Sequence, residues 1–562
     1  MKSVSGKYWE EDKINQRIFE KIKSEHIFPD IINKLILLRN FDKEEIFSIN
    51  NSIKLINPFL NIKDFENSYN VLKRIIKNKG KILIIGDYDV DGIISTTLFI
   101  KFLNILNYPF EFYIPDRFKD GYGASTNLIN KLIEKKPDLV VMLDCGSNSN
   151  TSINILNSNK IESIIIDHHE IYKPYPNTKN IINPKKDCDY KSFNYLCSAT
   201  LTYFFIEYFF NKENLKKNFE ENLIYVLLAT VCDVMPLRYL NRNLAKSALQ
   251  NFELNKNYFF NRLFKTLKIN RPLEIDDLGF IIGPIINSSG RIGDPNQAVN
   301  LLISDEKKLI DKLIDKLIEL NKKRKIIEER IINNLDLKKL NNQNIIILTL
   351  NSVNEGLIGI IASKIKEYLN KPCIVFTQSG NYLKGSARST EDFNIGKLIK
   401  IGLDKKIIIN GGGHNLAAGL LIEKNKLNEF KKFIHFFNAK IYNKENLKKK
   451  YLSKINLNAV NQNFYNELSL IEPFGSYNHN PVFLIENIII LKSSKINNKF
   501  VSCILKNKSS KTFKAVSFNL INSEISKYLL NYKKEIKIFV QIKQNTWNNK
   551  KKIELNILDV VI

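Results

Sequence analysis

Residues 81–93 read KILIIGDYDVDGI, and the fold follows from that stretch. Ile82, Leu83, Ile84 and Ile85 form an apolar run without polar alternation, the pattern of a strand buried on both faces. Gly86 follows, then Asp87, Asp89 and Asp91, and helical periodicity begins at Ile93. A buried strand that ends on acids and runs into a helix is the opening of a strand–helix–strand unit in a parallel sheet.

The same grammar recurs downstream. Phe110–Ile114 reads as a second strand and Ser125–Glu134 as a helix. Leu139–Leu143 (LVVML) is a third strand ending at Asp144, and Ile161–Ile166 a fourth ending at Asp167. Residues 66–245 are therefore expected to form a doubly wound α/β domain with a parallel sheet. Residues 1–65 read as a helical segment punctuated by Pro29 and Pro58. Residues 246–340 read as a helical connector, with one long helix over Glu306–Leu335. A second α/β domain is expected over 341–465, with strands at Asn344–Leu350 and Cys373–Phe376 and a helix at Gly359–Leu369. Residues 466–562 carry short strand signals at Val482–Ile485, Ile488–Leu491, Val501–Leu505, Thr512–Phe518, Ile536–Ile542 and Ile553–Leu558, which predict a small β-barrel.

Composition narrows the function classes. The chain has 562 residues, 44% of them hydrophobic, enough for several cores and too many for disorder. Its longest apolar stretches, such as Tyr203–Phe210, fall far short of the roughly 20 residues of a spanning helix. The start MKSVSGKYWEEDK has no apolar signal region, and the six cysteines lack CxxC spacing. A cytoplasmic protein without a membrane partner is expected. The net charge of +27 points to a polyanion. From Pro481 onward, 15 lysines face 5 acidic residues. Phe500, Phe513, Phe518, Tyr528, Tyr532, Phe539 and Trp547 are interleaved with them, a pattern suited to single-stranded nucleic acid. About two thirds of those rings are expected in the barrel core.

The acids and histidines carry the chemistry. Ligands of an open parallel sheet bind beyond the carboxyl ends of its strands. Asp87, Asp89 and Asp91 stand at one such end, Asp144 at another, and Asp167, His168 and His169 at a third; Asp233, in ATVCDVMP, ends a further apolar segment. A DxD alone is a common turn feature. Here, however, two of the chain's six histidines stand together directly after a buried strand and an aspartate. So many like charges in one crevice would drive up each other's pKa values unless divalent cations neutralised them. Carboxylates with imidazole and no thiolate cluster favour Mn²⁺ or Mg²⁺ over structural zinc. A two-metal site of this kind hydrolyses phosphodiesters.

GDYDVDG, LDCG at Asp144, DHH at Asp167–His169 and CDVMP at Asp233 resemble, in this order, the motifs of the DHH phosphoesterase superfamily. Within it the chain resembles the RecJ family of bacterial single-strand-specific exonucleases. FIIGPIINSSGRIGD at Phe280–Asp294 is similar to a further motif of that family. GLIGIIAS at Gly356–Ser363, GSARS at Gly385–Ser389 and GGGHNLAAG at Gly411–Gly419 resemble its DHHA1 domain. PFGSYNHNPVF at Pro473–Phe483 resembles the element that opens its OB-fold. The resemblance runs from about residue 66 to the end. It implies a DHH domain and a DHHA1 domain joined by the long helix, plus a C-terminal OB-fold barrel.

It also implies roles. Asp89, Asp91, Asp144, His168 and Asp233 match metal ligands, with Asp87 as an auxiliary ligand. His169 matches a catalytic position against the scissile phosphate, within the DHH motif that begins at Asp167. Arg117 and Arg291 would neutralise phosphates, Arg291 in the transition state. Asn287 lies in the same nucleic-acid-binding motif as Arg291. Ser386 and Arg388 would bind the 5′-terminal phosphate, and Gly412, Gly413 and His414 the strand near the active site. The implied activity is 5′-to-3′ degradation of single-stranded DNA to 5′-mononucleotides in repair and recombination. A helicase and a single-strand-binding protein are inherited partner expectations, and a monomer is expected. Two rivals are a nanoRNA or 3′-phosphoadenosine phosphatase of the same superfamily and a non-catalytic strand-binding scaffold. The sequence departs from the family pattern at Val353 and Asn354, where a Trp-His pair is usual, and at Tyr477 and His479, where glycine and proline are usual.

Overall fold

The computed structural model describes residues 1–51, 54–117, 120–121, 123–437, 448–507, 512–519, 521, 523–532, 534–547 and 550–562. Phe118, Lys119 and Tyr122 of the Arg117 motif lie outside this set, as does the side chain of Trp547.

Five parallel strands build the first sheet, in spatial order Phe110–Tyr113, Ile82–Gly86, Leu139–Leu143, Glu162–Ile166 and Ile181–Ile182. Ile82–Gly86 and Leu139–Leu143 are buried at every position, which explains their unbroken apolar runs. Ile82, Ile84, Leu139 and Val141 face one core with Phe99, Phe102, Phe204 and Phe205, from helices Val90–Ile105 and Ser198–Lys212. Leu83, Ile85, Val140 and Met142 face another with Leu128, Ile129 and Leu156. The strand order reverses between Ile82–Gly86 and Leu139–Leu143. That reversal opens a crevice at the carboxyl ends of the two strands, where Asp87 and Asp144 stand.

The apolar stretch Tyr203–Phe210 lies inside the helix Ser198–Lys212, packed on nearly all sides by protein. No helix among the described residues is long and apolar enough to cross a membrane. The connecting helix is Lys307–Asn333, with 27 residues and a length of about 40 Å.

The second sheet has the order Asn410–Gly413, Ala417–Glu423, Tyr382–Arg388, Cys373–Ser379 and Ile346–Leu350, and only its last pair is parallel. Both glycine-rich elements, GSARS and GGGH, sit largely on antiparallel strands. The barrel closes through pairing of Phe483–Ile496 with Ile536–Trp547. Val482–Ile485 and Ile488–Leu491, read as two strands, belong to one strand whose register shifts between Ile485 and Ile488. A bulge hides continuity in this way by breaking the two-residue alternation. Of the barrel rings, Phe539 is fully buried and stacks on Trp9 at 4.2 Å. Phe513 and Tyr532 pack against the core. Phe518 stays 58% exposed and meets Phe500 edge-on.

The N-terminal segment is more than a helical lead. Tyr8–Glu11 is a strand paired in parallel with Lys448–Tyr451. Ile32, Leu35, Ile36, Phe41 and Ile49 share the barrel's core. The segment also clamps the first α/β domain: Glu45, fully buried, accepts from Arg238 Nε at 2.6 Å and Nη2 at 2.7 Å. Arg238→Met would strand that carboxylate without its counter-charge, at an expected cost of about 3–5 kcal/mol. A lower urea midpoint, followed by the fluorescence of Trp9 and Trp547, checks this, and an unchanged midpoint would refute it.

Candidate metal centre

The acids reach the crevice from four directions. The loop after Ile82–Gly86 doubles back so tightly that a Cβ on Gly92 would stand 2.5 Å from the backbone of Asp87. Only glycine permits that approach. Asp89 caps the helix Val90–Ile105, its Oδ1 accepting from the backbone N–H of Asp91 at 2.9 Å and Gly92 at 3.2 Å. Asp91 is buried and accepts from Ser198 N and Ala199 N, both at 2.8 Å, at the positive end of the helix Ser198–Lys212. Asp144 takes a left-handed backbone, φ 62°, and its Oδ1 accepts from Ser198 Oγ at 2.9 Å. Asp233 caps the C-terminus of the helix Leu223–Cys232. Val234 after it has φ 58°, an uncommon backbone for a β-branched residue.

His168 gathers these acids. Its Nε2 lies 3.3 Å from Asp233 Oδ2, 3.5 Å from Asp144 Oδ1 and 3.7 Å from Asp91 Oδ2. Three overlapping sets are close enough to hold a cation: Asp91, His168 and Asp233; Asp87, Asp89 and Asp144; and Asp144, His168 and His169. The fit to cations is physical. Asp87 Oδ1, Asp144 Oδ2, Asp233 Oδ2 and both ring nitrogens of His168 are buried without a hydrogen-bond partner. Leaving such atoms unsatisfied costs about 1–3 kcal/mol each. Burial first, then the neighbouring carboxylates, pushes Asp87, Asp144 and Asp233 well above the usual carboxylate range and Asp91 up to about 6. Burial, then His169, pushes His168 down to about 3, which leaves it neutral and able to ligate.

Asp167 is used differently. Burial works against its charge, but His169, His168 and the Ser147 contact hold its pKa low. Its Oδ1 accepts from the backbone N–H of His168 and His169 and meets His169 Nδ1 at 2.8 Å, and its Oδ2 accepts from Ser147 N at 3.0 Å. With both oxygens occupied, Asp167 orients His169. Burial opposes protonation of His169, yet the charge of Asp167 and its hydrogen bond raise the ring to about 9.

A basic wall faces the acids. The Arg117 guanidinium lies 4.1 Å over the ring of Tyr88. Desolvation, then Arg117 and Arg324, lowers Arg291 to about 10. Asn287 lies one turn before Arg291 on the helix Gly283–Ile292 and shares its face. That helix packs so close that a Cβ on Gly290 would stand 2.4 Å from Tyr88 O. In the second sheet, Ser386 and Arg388 share one face of Tyr382–Arg388, and Arg388 Nη1 donates to Ser386 Oγ at 3.2 Å. Gly412, Gly413 and His414 are exposed, and among the described residues they make no hydrogen bond or ion pair with the acid cluster. His414 N donates to Ala417 O at 2.8 Å.

Sequence reasoning missed Ser198, Ser147 and Asn183. Asn183 is buried and donates to His169 O at 2.9 Å and Ser147 Oγ at 2.7 Å. Ser198 had one signal, a hydroxyl at the start of a helix rich in aromatic residues. The other two act through neighbours distant in sequence.

Three family models match the chain: the DHH family N-terminal domain over residues 81–230, the DHHA1 domain over 342–441 and the RecJ OB domain over 453–559. The Haemophilus influenzae protein named single-stranded-DNA-specific exonuclease RecJ is 31% identical over 399 residues, covering 67% of this chain and 68% of that protein. The chain belongs to the RecJ family. The Bacillus subtilis protein of the same name is 27% identical over 575 residues, covering 99% of this chain and 71% of its relative. The crystal structure of RecJ from Thermus thermophilus in complex with Mn²⁺ shares the fold, with a TM-score of 0.81 at 20% identity over 99% of this chain and 79% of that one.

The departures from the RecJ pattern fall outside the acid cluster. Asn354 caps the helix Glu355–Leu369, accepting from Gly356 N at 2.8 Å. The carbonyl of Val353 accepts from Thr377 Oγ1 at 2.6 Å.

Adding Mn²⁺ is expected to raise the Tm, and 100-fold excess over Kd corresponds to about 2.7 kcal/mol. Below pH 6 the folded, metal-free protein holds a proton on Asp91, which a cation must displace. The increment should therefore be larger at pH 8 than at pH 5, and equal increments at both would refute the site.

Proposed function

We propose that this chain is a metal-dependent exonuclease specific for single-stranded DNA. It works from the 5′ end and releases 5′-mononucleotides, in DNA repair and recombination. The observation that carries the reading is the convergence of orphaned carboxylate oxygens and His168 opposite Arg117 and Arg291. That arrangement suits a phosphodiester placed between cations and guanidinium groups. The RecJ names of the relatives and the basic barrel support single-stranded DNA as the substrate. The barrel distinguishes the chain from two-domain nanoRNA and 3′-phosphoadenosine phosphatases.

Asp87, Asp89, Asp91, Asp144, His168 and Asp233 would hold Mn²⁺ or Mg²⁺, which supplies Lewis acidity toward the phosphodiester and toward water when bound. Asp144 and His168 each belong to two of the candidate sets. Asp167 holds His169 at its Nδ1, which would orient the ring toward a phosphate oxygen. Arg291 and Arg117 bind the phosphate as charge develops on it. Ser386 and Arg388 bind the 5′-terminal phosphate, and Gly412, Gly413 and His414 guide the strand. A helicase that supplies the strand and a single-strand-binding protein that covers it are the partners of this reading. The protein acts as a cytoplasmic monomer.

The test is cleavage of 3′-labelled single-stranded DNA carrying a 5′-phosphate, with Mn²⁺, Mg²⁺ or EDTA, beside a blunt duplex. Stepwise, metal-dependent shortening of the single strand alone is expected, and binding without shortening would overturn the reading. Asp144→Asn should lower kcat by about 10³-fold or more while sparing strand binding. Retained turnover would place the chemistry elsewhere.

A further inference from the structure

A groove opens where three parts of the chain meet. Its volume is about 1300 Å³, more than the roughly 300–1,000 Å³ of a site for one small molecule. The helix Lys43–Asn50 of the N-terminal segment supplies one wall. Tyr195 and Tyr239 of the first α/β domain stand on another, and Tyr477, from the turn before the barrel, on a third. The parts are tied together, since Tyr239 N donates to Glu45 Oε1 at 2.9 Å and Leu237 N to Ser476 O at 2.9 Å. Two of the lining loops continue into the acid cluster. Tyr195 comes three residues before Ser198, which binds Asp91 and Asp144, and Tyr239 six residues after Asp233. Fully extended, those spans reach at most about 11 and 22 Å.

The groove is furnished for flat rings. Phe47, Tyr239 and Tyr477 line it and are between 40% and 69% exposed. The rings of Tyr195 and Tyr239 lie 5.3 Å apart. Tyr239 and Tyr477 both hold left-handed backbones, φ 52° and 57°, so the fold keeps two large exposed side chains where glycine would be relaxed. Asn243 also lines the groove, is only 5% exposed, and its Oδ1 has no hydrogen-bond partner. An amide oxygen of this kind accepts from the amine of a nucleobase. The rim charges balance, Lys43 and Lys54 against Asp42 and Glu44, which suits bases better than phosphates.

We propose that this groove is a base-stacking subsite for the uncut part of the DNA strand, with Phe47, Tyr239 and Tyr477 as platforms and Asn243 as acceptor for a base amine. A strand whose end lies in the centre leaves along the surface that adjoins it, and the groove adjoins it through two loops. Aromatic rings hold successive bases without regard to sequence. The N-terminal segment thereby takes part in holding the strand. The inference rests on the single-stranded DNA reading given above.

The experiment measures binding of the full-length protein to fluorescent single-stranded DNA of roughly 30 nucleotides, longer than one barrel's site, in EDTA so that nothing is cleaved. Tyr477→Gly removes a ring and relaxes its backbone, and Phe47→Ala removes one from an exposed helix face. Each should weaken binding by about fivefold or more, the effect of one lost stack, and leave the slope of affinity against salt unchanged. With Mn²⁺, both should raise KM for the long strand and leave turnover of a trinucleotide, too short to reach the groove, at the wild-type rate. Strands carrying 5-iodouracil should photocrosslink to Tyr239 or Tyr477. Variants that are folded by thermal melting and bind the long strand as the wild type does would overturn the subsite alone, as would equal losses on long strand and trinucleotide. A wild type that does not bind single-stranded DNA would overturn the substrate reading and the subsite with it.

Discussion

Everything in the catalytic domain answers to one electrostatic constraint, the gathering of Asp87, Asp89, Asp91, Asp144, Asp167 and Asp233 around two histidines. Two like charges 4 Å apart repel by about 4 kcal/mol at an effective dielectric of 20. The fold divides the acids into two kinds. Asp89, Asp91 and Asp167 are met by backbone N–H groups at the starts of helices or in the adjoining loops. Asp87, Asp144 and Asp233 each keep a buried oxygen unsatisfied. The first kind stabilises the loops as they stand; the second is what cations complete. Even two N–H donors do not offset burial at Asp91, which is still pushed up to about 6. The helix Ser198–Lys212 must therefore stand where it does, and its many buried aromatic and aliphatic side chains anchor it there.

The same demand for close approach governs the domain junction. Helix Gly283–Ile292 touches the acid loop at Gly290 and the helix Glu355–Leu369 near Arg291. Side chains at these points would separate the basic wall from the acids. In the proposed reaction a phosphate between acids and arginines needs both within reach, and the small residues at the junction keep them close. Buried Asn321, Arg324 and Glu328, together with Lys364, tie the connecting helix Lys307–Asn333 to Glu355–Leu369 beside that contact.

The parallel sheet, its strand-end acids and the long helix were legible because each leaves a local trace: an apolar run, an acid at its end, a sustained period. Asp144 and Asp167 could be placed at the crevice because strand direction alone decides where a strand's last residue lies. Asn183 and Ser147 left no such trace, since each acts on His169 or Asp167 from another loop. The N-terminal segment was read as helices only. Its strand Tyr8–Glu11 pairs with a partner more than 400 residues away, and its apolar faces complete a barrel core that local periodicity does not reveal. The barrel strand Phe483–Ile496 was split in two because a bulge reverses which side chains face inward.

The positions where the chain departs from its family obey the same separation of backbone from side chain. Tyr477 adopts φ 57°, a conformation glycine takes freely and tyrosine takes at a cost of about 1–2 kcal/mol. The turn is held by its neighbours. Gly475 and Asn478 exchange backbone hydrogen bonds at 2.9 and 3.2 Å, and Asn478 Nδ2 donates to Ile471 O and Pro473 O at 3.0 and 2.8 Å. Ser476 O in turn accepts from Leu237 N at 2.9 Å, four residues beyond Asp233. The turn thus supports the segment that carries a candidate ligand, and it does so with groups of Gly475, Ser476 and Asn478 rather than of Tyr477. Asn354 likewise acts by capping a helix, which an amide side chain does well.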